Sequence, residues 1–147
     1  MVKPNHIFSI CFVCIGLAFS VSTFAQQEKQ VGYILEHEKD LTSTQPGPHN
    51  GGGTTTGYNY FGKASNLNLV FRKRVLHPGS SIGYHYQEND EIYYVVSGKG
   101  EMKMNGEIIP MYPGDAILTR PGSSHGLTPV GKEDLVIIIS YEQHPKK

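Results

Sequence analysis

Short apolar and aromatic runs separated by turn dipeptides dominate this chain from Tyr58 onward. Asn105-Gly106, between two such runs, is a strong signal for a two-residue β-hairpin. No segment has an apolar repeat of helical period. The pattern therefore predicts an all-β domain, a sandwich or small barrel. The other turn dipeptides are Pro78-Gly79, Ser97-Gly98, Pro113-Gly114 and Pro121-Gly122. The predicted strands are 58–62, 67–77, 82–87, 91–97, 99–104, 107–110, 115–119 and 134–142.

Length and charge exclude several classes of protein. The chain has 147 residues, enough for one domain and too few for two ordinary ones. Its 17 glycines, nine prolines, nine tyrosines and six phenylalanines suit a turn-rich β domain. Thirteen basic residues balance 13 acidic ones, and no basic stripe stands out, which disfavours nucleic acid as a partner.

The N-terminal segment reads as a secretory signal peptide rather than as part of the domain. Lys3 precedes a short apolar run, and small residues stand before a predicted cleavage after Ala25. Residues 1–25 would then be removed, leaving a secreted or periplasmic protein with no membrane segment. Cys11 and Cys14, the only cysteines, both lie in this segment. The mature chain can hold no disulfide, and any metal must be bound through nitrogen and oxygen.

Residues 26–57 are predicted to be an N-terminal arm and a Gly-rich loop that lead into the domain at 58–147. Three consecutive glycines, Gly51 to Gly53, and two prolines mark residues 46–57 as a loop. Such a loop is either a plain flexible connector or a lid over a pocket, and the sequence favours the connector.

Four polar side chains are predicted to meet on one face of the β domain. His85 and Gln87 are two residues apart on one strand and therefore point the same way. Glu91 begins the next strand after a short turn, so a hairpin brings it back beside them. A fourth candidate, His125, lies near the end of the domain. Nitrogen and oxygen donors that converge in this way indicate a metal site.

These residues carry a resemblance to the cupin superfamily, whose first motif is Gly, five residues, His-x-His, three or four residues, Glu, six residues, Gly. The chain matches it from Gly79 to Gly98, with Gln87 where the second His is usual. The second motif is recognisable in Gly114-Asp115, Pro121-Gly122 and His125, although its Pro lies one position earlier in the family and its Asn is replaced by Pro129. The resemblance covers roughly residues 67–141.

The resemblance implies a small, single-domain, germin-like cupin with a double-stranded β-helix, or jelly-roll, barrel. The family's metal ligands carry over onto His85, Gln87, Glu91 and His125. Cupins often pair through sheet edges and N-terminal arms, so the resemblance also implies a homodimer.

The donor set suits one divalent metal ion, Mn, Fe, Zn or Ni, without selecting among them. The Gln87 amide oxygen is a weaker donor than imidazole, which should leave the ion a stronger Lewis acid. The alternative is a metal-free network in which the Gln87 amide bridges His85 and Glu91.

Other side chains are candidates for catalysis and substrate binding. Tyr93 shares the inward face of Glu91 and is either a proton-transfer residue or a wall aromatic. Arg72 and Arg74 share one face of their strand and could clamp a carboxylate or phosphate, or form a solvated basic edge. Tyr60 is a further candidate for the substrate pocket. The remaining histidines are expected at the surface or as hydrogen-bonded core residues: His37, His49, His77 and His144.

Three functions follow from this pattern. The first is a metal-dependent enzyme that acts on a small oxygen-rich substrate (a sugar, uronate, or hydroxy or keto acid) by isomerisation, epimerisation, lyase chemistry or decarboxylation. The second is an Fe- or Ni-dependent dioxygenase. The third is a non-catalytic module that binds a carbohydrate or small acid. The fold alone cannot choose among them.

Overall fold

The structure, a computed structural model, describes residues 32–143. The predicted signal peptide, both cysteines and His144 lie outside this range. Within it there is no α-helix, and no helix has the length and apolar composition needed to cross a bilayer. Two short 3-10 helices are present, η1 (Glu38–Asp40) and η2 (Pro48–Asn50).

Ten strands form two antiparallel sheets, with the order β1-β2-β3-β10-β5-β8 in the larger and β4-β9-β6-β7 in the smaller. This is the all-β architecture expected from the sequence, a jelly-roll of the cupin type. The strands are β1 (Thr42–Pro46), β2 (Thr54–Tyr60), β3 (Leu69–Leu76), β4 (Ile82–Tyr86), β5 (Glu91–Ser97), β6 (Gly100–Met104), β7 (Glu107–Met111), β8 (Ala116–Thr119), β9 (Ser124–Pro129) and β10 (Leu135–Glu142).

The core lies between the inner faces of the two sheets. Along β5 and β10 alternate residues are buried, because successive side chains of a strand point to opposite faces. Val95 and Ile137 of the larger sheet pack with Met102 and Leu127 of the smaller one. Burying each such side chain contributes about 1.5–3 kcal/mol to folding.

Each of the eight predicted strands has a counterpart, and two further strands were missed. β1 and the first part of β2 occupy residues that were predicted as arm and loop, so the loop between them is shorter than expected. β1 has no apolar residue before its terminal Pro46, and β9 contains Gly126 and Pro129, so neither has the composition of a strand. Both form because neighbouring strands supply hydrogen-bonding partners.

Candidate metal centre

Strand pairing brings three predicted ligands together. His85 of β4 lies directly opposite His125 of β9 in the smaller sheet, and Glu91 opens β5 in the larger sheet. Each residue offers one ligand atom, and these atoms all lie within 4.8 Å of one another. His125 is fully buried and Glu91 nearly so. Two imidazoles and a carboxylate at this separation could hold a divalent metal ion.

Tyr93 ties two of these residues together. Its hydroxyl donates to Glu91 Oε2 at 2.8 Å and lies 3.0 Å from His125 Nε2. Burial raises the pKa of the Tyr93 phenol well above its usual value of 10, and the Glu91 carboxylate raises it further. The phenol is therefore protonated at neutral pH and orients Glu91 and His125.

Hydrogen bonding defines which nitrogen of His85 is free. His85 Nδ1 lies 2.8 Å from the carbonyl oxygen of Gly83, which can only accept, so Nδ1 carries the proton. The lone pair is consequently on Nε2. A second bond that orients a ligating histidine in this way is the usual arrangement at protein metal sites.

His125 supplies the second lone pair. The Tyr93 hydroxyl donates its hydrogen to Glu91 Oε2, and its oxygen can accept a hydrogen bond from His125 Nε2. Nε2 is the ring nitrogen that lies beside Glu91, 3.5 Å from Oε2, whereas the buried Nδ1 has no hydrogen-bond partner. When Nδ1 carries the ring proton, the lone pair of Nε2 is directed toward Glu91 and is available to a cation. The residues present therefore fit a metal ion.

Gln87 follows β4 directly and is also buried. Its side-chain Nε2 donates to the carbonyl oxygen of Asn89 at 2.6 Å, so the amide does not bridge His85 and Glu91. Since Asn89 can only accept at that carbonyl, the opposite end of the amide is Oε1. That oxygen is the atom that Gln87 can offer to a cation.

A cavity of about 230 Å³, here called the histidine cavity, opens beside these ligands. Its lining includes two carboxylates and no lysine or arginine. An anionic ligand could therefore enter it only with a cation to offset the negative charge. The lining residues are His49, His85, Tyr86, Gln87, Glu88, Asn89, Glu91 and Tyr141.

His49 is a site residue that the sequence analysis did not find. Its ring stacks on His85 with centroids 3.5 Å apart and planes 1° from parallel. Partial burial lowers the pKa of His49 below its usual 6.5, and His85 lowers it further, so the ring is neutral. His49 is exposed, as predicted, but its position against the ring of His85 was not predicted.

The loop around η2 holds His49 in place. His49 has φ +52°, a left-handed conformation that is uncommon outside glycine. The carbonyl oxygen of His49 lies so close to Gly83 that a Cβ atom at position 83 would collide with it. Ser81 Oγ also donates to the carbonyl of Gly51 at 2.5 Å. The Gly-rich segment is thus fixed on β4 rather than being a plain connector.

The structure does not bring the three predicted substrate-binding residues into the histidine cavity. Arg72 and Arg74 lie on the inner face of β3 and line a different cavity. Tyr60 belongs to the opposite face of its sheet, where its hydroxyl donates to Glu38 and its ring contacts Phe71. Alternation along the strands separates Tyr60 from the arginines.

Comparison with known proteins agrees with this architecture. The Cupin_2 family model, a cupin domain, matches residues 73–141. The crystal structure of a predicted oxalate decarboxylase from Thermotoga maritima superposes with a TM-score of 0.69 at 26% identity, covering 76% of this chain and 100% of that one. A Cupin 2 conserved barrel domain protein from Salinispora arenicola, at 19% identity and a TM-score of 0.60, covers 76% and 89% and shows the fold alone. The chain belongs to the cupin superfamily.

Curated relatives are similar over part of their length. An oxalate-binding protein of Thermotoga maritima is 40% identical over 67 residues, which is 45% of this chain and 55% of that protein. A 5-nitrosalicylic acid 1,2-dioxygenase of Bradyrhizobium sp is 25% identical over 69 residues, 47% of this chain and 33% of that enzyme. The chain thus spans about half of the first relative and a third of the second.

Proposed function

We propose that this chain is an exported, divalent-metal-dependent cupin that binds a small carboxylate, with oxalate as the first candidate, and acts on it by Lewis-acid chemistry. The observation that carries the proposal is the group of His85, Glu91 and His125, with ligand atoms within 4.8 Å of one another beside an open cavity. The similarity to an oxalate-binding protein supports the choice of ligand.

His85 Nε2, the Glu91 carboxylate, a ring nitrogen of His125 and Gln87 Oε1 would hold the metal. When bound, the ion would supply the positive charge that polarises a carboxylate or neighbouring carbonyl. Tyr93 keeps Glu91 and His125 oriented through its hydroxyl. His49 and Tyr141 form part of the cavity wall and limit the size of the ligand.

Metal analysis and binding measurements test this proposal. Protein purified without added metal should contain about one divalent ion per chain, as expected for a single N/O site. Titration calorimetry should show that oxalate binds the metal-loaded protein and not the metal-free one. Binding of equal strength in both forms would contradict the proposal, because the uncompensated cavity is acidic.

A non-catalytic binding module is a second candidate, favoured because the relative with 40% identity is an oxalate-binding protein. Prolonged anaerobic incubation with oxalate separates the candidates. Product formed without oxygen supports Lewis-acid catalysis, and product formed only with oxygen supports a dioxygenase. Tight binding with no product in either condition identifies a binding module.

Export and pairing are further parts of the proposal. The signal-peptide pattern before Ala25 supports a secreted or periplasmic location, which N-terminal sequencing of the natural protein would test. A homodimer is supported by exposed apolar side chains on the outer face of the larger sheet, namely Ile92, Tyr94, Val96 and Leu118. Sedimentation equilibrium at micromolar concentration should give twice the chain mass, and a monomer would exclude the dimer.

A further inference from the structure

A second polar cavity, of about 280 Å³, lies on β1, β2 and β3 of the larger sheet. We call it the arginine groove, after Arg72 and Arg74, which line it with Gln45 and Asn59. It shares no lining residue with the histidine cavity. Its remaining lining residues are Leu41, Ser43, Gly57, Tyr58 and Lys73.

Arg74 is a buried charge without a compensating charge. Its side chain is only 6% exposed. Nη1 donates to Thr55 Oγ1 at 2.8 Å and Nη2 to Gln45 Oε1 at 3.2 Å, and both acceptors are neutral. Its Nε is buried with no hydrogen-bond partner at all. A buried cation is normally paired, so this guanidinium lacks an anionic partner.

Arg72 adds a second positive charge on the same face of β3. Its Nε donates to Asn59 Oδ1 at 3.2 Å, and its guanidinium lies 5.5 Å from the centre of the Tyr141 ring. Within residues 32–143 no carboxylate forms an ion pair with Arg72 or Arg74. The neighbouring Lys73, in contrast, is paired with Glu38 at 2.7 Å.

The electrostatic environment of Arg74 also favours a bound anion. Burial lowers the pKa of Arg74 below its usual value, and the adjacent positive charge of Arg72 lowers it further. Both effects disfavour the charged form of Arg74. An anion bound between the two side chains would favour the charged form and so offset both effects.

We propose that the arginine groove binds a small oxyanion, a carboxylate or a phosphate, between the guanidinium groups of Arg72 and Arg74. A guanidinium presents parallel N–H donors that match two oxygens of such a group. The amides of Gln45 and Asn59 line the same groove and offer further donors. The volume suits a small anion, because drug-sized ligands occupy pockets of roughly 300–1,000 Å³. The two cavities share no lining residue, although the Tyr141 ring that lies near Arg72 also lines the histidine cavity.

Thermal unfolding of metal-free protein tests the proposal independently of the metal centre. Chelator-treated wild type is titrated with inorganic phosphate in one series and with succinate in another, at an ionic strength held constant with sodium chloride. We expect at least one anion to raise the melting temperature by several degrees at millimolar concentration. The series with the larger shift identifies phosphate or carboxylate as the preferred oxyanion. No shift with either anion would overturn the proposal.

Matched variants test whether the anion binds at Arg72 and Arg74. Arg72→Met and Arg74→Met should each weaken anion binding at least tenfold. Arg120→Met should bind like wild type, because it removes the same charge from an exposed residue that pairs with Asp90. If Arg74→Met does not fold, Arg72→Met and Asn59→Ala carry the test. The proposal would be overturned if wild type and all variants showed equal anion-induced shifts in melting temperature. It would also be overturned if Arg72→Met lost the dimer mass but kept the anion response of wild type.

Discussion

The histidine cavity and the arginine groove are two polar regions on the inner side of one β domain. They differ in the charge of the ligand that their side chains could bind. In the histidine cavity two imidazole lone pairs and a carboxylate converge, and one buried nitrogen of His125 has no partner. In the arginine groove two guanidinium groups lie together, and one buried nitrogen of Arg74 has none. The converging nitrogen and oxygen donors of the first region indicate a cation, and the unpaired buried guanidinium of the second indicates an anion.

Among single substitutions, removal of the His125 side chain should have the largest effect on the cation affinity of the histidine cavity. His125→Ala deletes a fully buried ligand, so we expect divalent-cation affinity to fall by about 100-fold or more. Titration calorimetry with Mn²⁺ measures the change. His77→Ala is the matched control, since its ring nitrogens bond to Thr56 and Asp134 and not to the site. Equal affinities in the two variants would refute the ligand assignment.

A crossed stability measurement tests whether the two regions are independent. At 100 times its dissociation constant a cation stabilises the protein by about 2.7 kcal/mol, equivalent to about 10 °C in Tm for a domain of this size. Arg74→Met should keep this response and lose the response to anions, and Glu91→Gln should do the reverse. A variant that loses both responses would show that the two sites are one.

Tyr93→Phe should lower cation affinity by about 10-fold or more, because partners that orient metal ligands typically have effects of this size. The variant keeps the ring and removes only the hydroxyl that bonds to Glu91 and His125. Calorimetry gives the affinity, and turnover at saturating metal is measured separately. Unchanged affinity with lost turnover would restore the predicted proton-transfer role of Tyr93.

His49 variants separate ring stacking from nitrogen chemistry. His49→Ala removes the ring that lies on His85, and a stacked pair contributes about 0.5–1.5 kcal/mol, so cation affinity should fall by up to about 10-fold. His49→Phe keeps a stacked ring and should bind the cation nearly as wild type does. If Phe and Ala behave alike, the ring does not position His85 by stacking.

Gln87→His should have the smallest effect, an increase in cation affinity of about threefold, because imidazole is a stronger donor than an amide oxygen. Gln87→Ala serves as the control and should weaken binding slightly. Calorimetry with the same ion measures both. If neither substitution changes the affinity, Gln87 is not a ligand.

Local sequence predicted the strands whose residues are themselves good strand formers. β5 and β10 have apolar residues at alternate positions or throughout, and Asn105-Gly106 forms the expected hairpin with positive φ at both residues. β1 and β9 have no such signal, because polar residues, glycine and proline fill them. Their strand conformation depends on partners from other parts of the chain.

The candidate metal residues were predictable because each lies in a spaced motif. His49 was not, because its position depends on a left-handed loop conformation and on the close approach of Gly83 in β4. A signal was available in the glycines around it, since repeated glycine permits close backbone contact. The Arg72–Arg74 pair was predicted to share a face, but burial of Arg74 could not be read from its sequence neighbours.

The sequence by itself determined an all-β cupin with His85, Gln87, Glu91 and His125 as its candidate ligands, because strand alternation and motif spacing are local properties. Only the tertiary structure decided that His49 covers His85, that Tyr93 joins Glu91 to His125, and that Arg74 is buried without a counter-charge. These features depend on which strands pair and how the two sheets face each other. Such contacts join residues that are distant in the chain, and no local pattern encodes them.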